Sequence, residues 1–344
     1  MKVLLNDGMD EEGVAQFEEA GIKTDSEKRN LEDLVNQIGE FDALIVRSAT
    51  DVTKEIIEAG AKGSLKIIGR AGVGYDNINV DSATYNGIIV KNAPYGNTNA
   101  TAELALLLML SVSRKLPQAH YLLKNSIWQK KSFQGIELFN KTLGIIGCGR
   151  VGQRLSELVR GFDMNVIGYD NNLKLVKELF PDSRINYVEM GELLAKSDFI
   201  SIHASGNNGV IRAEEFSQMK PSAYLINASR GLNVDEKALY EALATGKIAG
   251  AGLDVYADEP RNEKDRFSSK LAEFDNVVLS PHLGASTKEA QRKTSTEIVR
   301  VVTDYLLYGD FKNAVNVGET VEAEKKQIYP LFICHRDITG AFAK

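Results

Sequence analysis

Cysteine is almost absent from this chain: Cys148 and Cys334 are the only two among 344 residues. They lie far apart and without metal-ligand spacing, which argues against a disulfide framework and for a reducing compartment. Histidine is nearly as scarce. The four present (His120, His203, His282 and His335) include no pair at metal-binding spacing, so no metal is expected. Long apolar runs are missing too: the longest, Leu104 to Leu110, ends at Ser111 and falls far short of the roughly 20 residues a bilayer requires. The N-terminal run Val3 to Leu5 turns polar at Asn6 and reads as a strand, not a signal peptide. Positive charge is not in excess, with 41 Lys and Arg interleaved among 47 Asp and Glu for a formal charge of −6. Such a surface gains little from phosphate backbones or anionic lipid. Neither nucleic acid nor membrane is expected as a partner, and the expected location is the cytoplasm. Internal repeats and low-complexity tracts are absent, as are the GxSxG and GxxxxGK[ST] patterns.

What is present is ordinary globular composition, 43% hydrophobic and 26% charged, at a length suited to two domains. Short apolar runs read as strands: Val3–Leu5, Ala43–Val46, Leu65–Ile68, Ile88–Val90, Leu143–Ile146, Asn165–Tyr169, Phe199–Ile202, Ala223–Ile226, Ala249–Leu253 and Val277–Leu279. Amphipathic segments such as Glu11–Ala20, Thr53–Ala59, Val151–Gly161, Asp235–Ala244 and Lys288–Leu307 lie between or after them. Strands alternating with helices of this length build parallel sheets through right-handed crossovers, so the predicted class is α/β with two doubly wound sheets. A helix over Asn97–Ser113 and a second over Leu116–Lys124 separate the two sets of strands. The predicted boundaries are residues 1–95 with 286–318 for the first domain, 96–285 for the second, and 319–344 for a tail. The last long helix has no strand after it and can cross back to the first domain.

A dinucleotide signal stands in the second domain. Strand Leu143–Ile146 runs into Gly147-Cys148-Gly149-Arg150-Val151-Gly152, a helix follows, and the next strand ends at Tyr169-Asp170. Gly147 allows the tight turn, Gly149 lets a pyrophosphate approach the backbone, and Gly152 lets the helix pack against the sheet. Arg150 and Val151 open the helix whose N-terminus stabilises the phosphate charge. Asp170 suits the two ribose hydroxyls of NAD and would repel the extra phosphate of NADP. A bare glycine turn that binds nothing is the plainer reading, and strand, helix and acid in register weigh against it. The run Gly72-Val73-Gly74 lacks a third glycine and a helix start, and reads as a domain-edge loop facing the substrate.

Three charged residues follow successive strands of the same sheet: Arg230, Glu259 and His282. Each taken singly is an ordinary surface or turn residue. Together they offer a carboxylate-binding cation, an orienting acid and a base, the set that hydroxy-acid oxidation needs.

The stretch from Ala249 to Val255, through Glu259-Pro260, to Ser280-Pro281-His282-Leu283-Gly284-Ala285-Ser286-Thr287 resembles the D-2-hydroxy-acid dehydrogenase family. Leu44–Thr50, Gly69–Asn77, Asn92–Asn97 and Asn313–Asn316 resemble it as well, and the likeness covers roughly residues 1 to 318. It implies a Rossmann-type NAD domain and a smaller flavodoxin-like substrate domain. It implies His282 as the acid–base, Glu259 as its partner and Arg230 on the substrate carboxylate, with Asp254 touching the nicotinamide amide. For a phosphorylated substrate, Arg47, Ser48, Arg70 and Asn97 become the candidates at the far end, beside the Gly72–Gly74 loop. A homodimer or higher homo-oligomer is implied too; the Leu- and Ala-rich helix pair Asn99–Lys124 reads either as its surface or as interdomain core.

Family members usually carry a longer, proline-containing loop where this chain reads Ala204-Ser205-Gly206-Asn207-Asn208-Gly209, and His203 before it reads as structural. The tail from Ile328 resembles the opening of an ACT regulatory module, with a short terminal strand of no regulatory role as the alternative reading. Three functions stay open on the sequence: oxidation of a phosphorylated 2-hydroxy acid, reduction of smaller 2-oxo acids, and an NAD-sensing interaction protein of the corepressor kind.

Overall fold

Among the described residues, twelve short parallel strands fall into two sheets, each with its own hydrophobic core. The computed structural model describes residues 1–206, 209–260 and 265–317. The tail expected to begin an ACT module, with Cys334 and His335, lies outside the described residues, as do Asn207 and Asn208. The contacts divide the chain into Met1–Asn97 with the residues from Lys288 onward, and Thr98–Thr287.

The first sheet has the order β2-β1-β3-β4-β5. Its strands are β1 (Lys2–Leu5), β2 (Lys23–Asp25), β3 (Ala43–Val46), β4 (Ile67–Arg70) and β5 (Ile89–Asn92). Val3, Leu4, Leu5, Ala43, Leu44, Val46, Ile67 and Ile68 are each 0% exposed, as strands covered on both faces require. Each such Val, Leu or Ile contributes about 1.5–3 kcal/mol on burial, and this continuous apolar seam rather than alternation is what selects a covered parallel sheet. The helix Lys288–Tyr308 supplies Ile298, Val299 and Val302 to the same core as Val3, Leu5 and Ile67.

The second sheet has the order β12-β11-β10-β9-β6-β7-β8. Its strands are β6 (Thr142–Ile146), β7 (Asn165–Tyr169), β8 (Asn186–Tyr187), β9 (Phe199–Ile202), β10 (Tyr224–Asn227), β11 (Gly250–Leu253) and β12 (Val277–Leu279). The chain proceeds one way from β6 through β7 to β8, and the other way from β9 to β12. The strand order therefore reverses between β6 and β9, and the crevice at such a point is where doubly wound sheets bind ligands. The helix Thr98–Arg114 packs Ala102, Ala105, Leu108, Met109 and Val112 into this unit's core.

The expected class, two doubly wound α/β sheets, is the architecture found. Two strands escaped the sequence reading. β2 is polar and largely uncovered, and β8 is two residues long, so neither carries an apolar run. β4 and β5 begin one or two residues later than their apolar runs suggest, which makes Arg70 the last residue of β4 instead of its successor. No helix among the described residues is long and apolar enough to cross a membrane.

Candidate functional site

The glycine turn leaves β6 at the switch point. Gly147 has φ +90°, and a Cβ there would stand 2.5 Å from Ala204 N and 2.6 Å from His203 C, so only glycine lets β6 turn beside β9. At Gly152 a Cβ would lie 2.5 Å from Gly147 O, which brings the helix Arg150–Leu158 close against the turn. Gly149 is the opposite case, with no atom within 4 Å of the missing Cβ. It is the N-cap of that helix and offers no side-chain cap, and the positive end of the helix there favours an anion. Between the glycines, Cys148 is buried and its thiol is pushed up to about 12, by burial first and by the Asp170 charge second. It is therefore a packing residue.

Asp170 follows β7 and reaches back across the turn. Its Oδ2 accepts from Cys148 N at 2.8 Å and its Oδ1 from Asn172 N at 2.8 Å. Two backbone donors fix the carboxylate and leave each oxygen a further lone pair for a ribose hydroxyl. A cavity of about 270 Å³ adjoins it, lined by Tyr169, Asp170, Asn171, Leu173, Tyr187 and Glu189. Open glycine, uncapped helix and oriented acid together fit NAD, which Gly147, Gly149, Arg150, Val151, Gly152 and Asp170 would hold.

Arg230, Glu259 and His282 follow β10, β11 and β12 at the same carboxyl edge as the glycine turn. His282 Nδ1 and Glu259 Oε2 are 2.7 Å apart. That bond raises the imidazole's pKa above its ordinary value, against the effect of burial and helped by the Glu259 and Asp254 charges. Burial pushes the Glu259 carboxyl upward, but the hydrogen bond and charge of His282, the Tyr256 amide and the Arg230 charge bring it below the usual range. His282 holds φ +53°, a left-handed backbone uncommon outside glycine. Its backbone N donates to Asp254 O at 2.9 Å.

Asp254 keeps that turn in place. It is 0% exposed, and its carboxylate accepts from Ser280 Oγ at 2.6 Å, Leu283 N at 2.8 Å and Gly284 N at 2.9 Å. Burial raises its pKa. Its three partners all belong to the segment that carries His282, a task the sequence reading did not foresee. Tyr256 is a second such residue: its hydroxyl donates toward Ser280 O at 2.9 Å and Leu253 O at 3.2 Å, while its amide donates to Glu259 Oε1 at 3.1 Å. A Cβ on Gly231 would fall 1.8 Å from Tyr256 O, so the turn that carries Arg230 is set against the segment that carries Glu259. Arg230 itself is half-buried, with Nη1 donating to Ser229 O at 2.8 Å. Ser280 and Tyr256 gave no signal in one sequence beyond standing near the motif. His203 is a core histidine: Nε2 pairs with Ser201 Oγ at 2.9 Å, and burial pushes its pKa down to about 4.

In the first unit, β1 and β3 flank the corresponding reversal of strand order. Arg47 follows β3 there, with its amide donating to Asp7 Oδ2 at 2.7 Å and its carbonyl accepting from Asn77 Nδ2 at 2.8 Å. Its backbone is fixed at both ends while Ser48 beside it is exposed. Arg70 folds back, Nη1 reaching Ala71 O at 3.2 Å, across the space a Gly72 side chain would fill. Val73 O accepts from Asn92 Nδ2 at 2.6 Å, and Gly74 follows it in the same loop. Asn97 immediately precedes the helix Thr98–Arg114, and its Oδ1 is buried with no hydrogen-bond partner among the described residues. Asp7 and Asn77, which brace Arg47, were not singled out by sequence; both are small polar residues in turns, indistinguishable there from ordinary turn formers.

Residues 106–284 match the family described as D-isomer specific 2-hydroxyacid dehydrogenase, NAD binding domain. The chain is 41% identical over 332 residues to a D-3-phosphoglycerate dehydrogenase of Synechocystis, covering 94% of this chain and 58% of that protein. It is 41% identical over 305 residues to a hydroxypyruvate reductase of Thermotoga maritima, covering 88% of this chain and 97% of that one. The solved structure of an NAD⁺-bound 3-phosphoglycerate dehydrogenase of Entamoeba histolytica superposes with a TM-score of 0.75 at 28% identity, covering 92% of this chain and 99% of the other. The chain spans 58%, 63% and 59% of the length of three of the phosphoglycerate dehydrogenases that it matches. The matched segment holds the glycine turn, Asp170, Arg230, Glu259 and His282, and on these grounds the chain belongs to the D-isomer specific 2-hydroxyacid dehydrogenase family.

Proposed function

We propose that the protein catalyses the NAD-dependent oxidation of 3-phospho-D-glycerate to 3-phosphohydroxypyruvate, the first step of serine synthesis, and the reverse reduction. The observation that carries the chemistry is the 2.7 Å pair of His282 and Glu259, on the sheet edge that also bears Arg230 and the glycine turn. When bound, NAD supplies the acceptor for the hydrogen leaving C2 of the substrate. His282 Nε2 takes the hydroxyl proton as that bond breaks and returns it in the reverse direction. Glu259 holds Nδ1–H, which fixes the tautomer with Nε2 free, and stabilises the imidazolium once formed. Arg230 grips the substrate carboxylate and polarises the C2 oxygen. Asp254 is proposed to contact the nicotinamide amide besides bracing the His282 turn.

The phosphorylated substrate is supported by the relatives named D-3-phosphoglycerate dehydrogenase and by Arg47, braced at the switch point of the first sheet. Arg47, Ser48, Arg70, Asn97 and the Gly72-Val73-Gly74 loop are its proposed contacts. The Thermotoga hydroxypyruvate reductase, matched over 97% of its length, favours a second reading in which the smaller acid is the substrate. We propose further that the protein is a homodimer and acts in the cytoplasm.

The deciding experiment follows NADH oxidation with 3-phosphohydroxypyruvate, hydroxypyruvate and glyoxylate side by side. The expected result is a strong preference for the phosphorylated acid. Turnover of the smaller acids alone would establish the second reading, and silence on all three would leave an NAD-sensing role of the corepressor kind.

A further inference from the structure

We propose that Asn233 is a positioning residue that couples the Arg230 turn to the cofactor-binding turn, an inference that rests on the carboxylate-binding role proposed for Arg230. Asn233 ends the short 3-10 turn Gly231–Asn233 and is 0% exposed. Its Nδ2 donates to Ala204 O at 3.0 Å and to Ser229 Oγ at 3.2 Å. The orientation of the amide is fixed by what its partners need. Ala204 offers a carbonyl, and Ser229 Oγ gives its own proton to Asn227 Oδ1 at 2.8 Å, so both require a donor. Oδ1 of Asn233 has no hydrogen-bond partner among the described residues. The nitrogen end is therefore what the buried amide is there for, and the uncompensated oxygen is a cost that its position tolerates.

On one side the network closes around Arg230. Asn233 N and Asn227 Nδ2 both donate to Arg230 O, at 3.1 Å and 2.9 Å, and Ser229 links the two asparagine side chains. The carbonyl of the carboxylate-binding residue is thus held from two directions. On the other side, Ala204 and His203 form the backbone wall against which Gly147 turns, with Ala204 N only 2.5 Å from where a Gly147 Cβ would stand. Asn233 O also accepts from Val210 N at 2.8 Å and Ile211 N at 2.9 Å, so it anchors the segment that returns from that wall. One buried side chain connects the turn that binds the anionic end of the substrate with the wall of the turn that binds the cofactor. A shift of either turn strains the same two hydrogen bonds, so occupancy of one site biases the geometry of the other.

The test is a fluorescence titration of the full chain with NADH, with and without saturating oxalate as the carboxylate probe. For the natural protein, oxalate is expected to tighten NADH binding about fivefold or more, the lower end of ordinary coupling between sites. In Asn233→Leu, which keeps the number and branching of side-chain heavy atoms and removes the donors, this factor falls toward one while NADH affinity without oxalate changes less than about twofold. Ser229→Ala loses one of the two links and gives an intermediate factor. A merely structural role would lower the unfolding temperature and leave the factor intact. A folded Asn233→Leu protein with the natural factor, or a natural protein with no coupling, overturns the proposal. If the leucine variant does not fold, Asn233→Asp, of the same size and without the amide donors, must lose the factor in its place. Oxalate binding that survives Arg230→Ala would instead overturn the role given to Arg230, and this inference with it.

Discussion

Glu259 and His282 stand 23 residues apart in sequence and 2.7 Å apart in space, joined through Oε2 and Nδ1. Their shifts are opposed, with the carboxyl held below its ordinary value and the imidazole raised above its own. On the chemistry proposed for His282, oxidation needs the neutral imidazole and is expected to be lost as pH falls through its raised pKa. Reduction needs the imidazolium and is lost as pH rises through the same value. In Glu259→Gln the largest cause of the raised pKa is gone, so both limbs move to lower pH. Profiles of kcat/KM in each direction measure this, and profiles that stay in place would remove Glu259 from its assigned role.

Arg230 is expected to resist even conservative replacement. Lysine keeps the charge but has no planar fork to hold a carboxylate by two parallel bonds. Arg230→Lys should lower kcat/KM on the order of a hundredfold, as loss of a transition-state donor commonly does. Binding of NADH should change little, because the glycine turn is untouched. A variant with near-natural kcat/KM would mean that another group binds the carboxylate.

How far these features were legible in the sequence depends on how local their signals are. The glycine turn is a contiguous pattern whose spacing is dictated by backbone clashes, and Gly147, Gly149 and Gly152 could be assigned from strand, helix and acid in register. Apolar runs marked ten strands because both faces of a covered parallel strand are apolar, while β2 and β8 lacked that mark. Arg230, Glu259 and His282 could be gathered only because each follows a strand of one sheet. Residues that work by bracing others were not legible. Asp254 was assigned outward, toward the cofactor, whereas three hydrogen bonds of its buried carboxylate run to Ser280, Leu283 and Gly284. Asp7, Asn77 and Asn233 act on backbone groups 27 to 40 residues away or on neighbouring turns, and no periodicity announces such pairings.

Cofactor choice should rest on Asp170. Its charge opposes a 2′-phosphate, while its two backbone donors keep it from turning away. Asp170→Asn removes the charge with little change of shape and is expected to lower the preference for NAD over NADP by about tenfold, the size of one charge-assisted hydrogen bond. The measurement is the ratio of kcat/KM for the two cofactors. An unchanged ratio would shift the discrimination to Asn171, Asn172 or the cavity wall.

Arg47 separates the two substrate readings. If it grips a phosphate, Arg47→Ala raises KM for 3-phosphohydroxypyruvate about ten- to hundredfold, the range for hydrogen bonds to a charged group, and leaves KM for hydroxypyruvate nearly unchanged. Equal effects on both substrates would mean that Arg47 only supports the turn held by Asp7 and Asn77.

The helix pair expected to form a dimer surface divides its labour. The first member, Thr98–Arg114, buries nine of its residues. The second, Leu116–Lys124, buries none, and it leaves Leu116, Tyr121 and Leu123 at 60%, 68% and 57% exposure, with Trp128 beyond it at 80%. Apolar side chains gathered on one short segment cost free energy in water unless something covers them. A second copy of the same segment would do so symmetrically, each patch meeting its own counterpart. Sedimentation should therefore give a mass of two chains or a multiple. Leu123→Glu with Tyr121→Lys should release single chains that still bind NADH, because the glycine turn lies elsewhere in the same unit. A natural protein that sediments as one chain would refute the dimer, and a double variant that stays dimeric would move the interface off this segment.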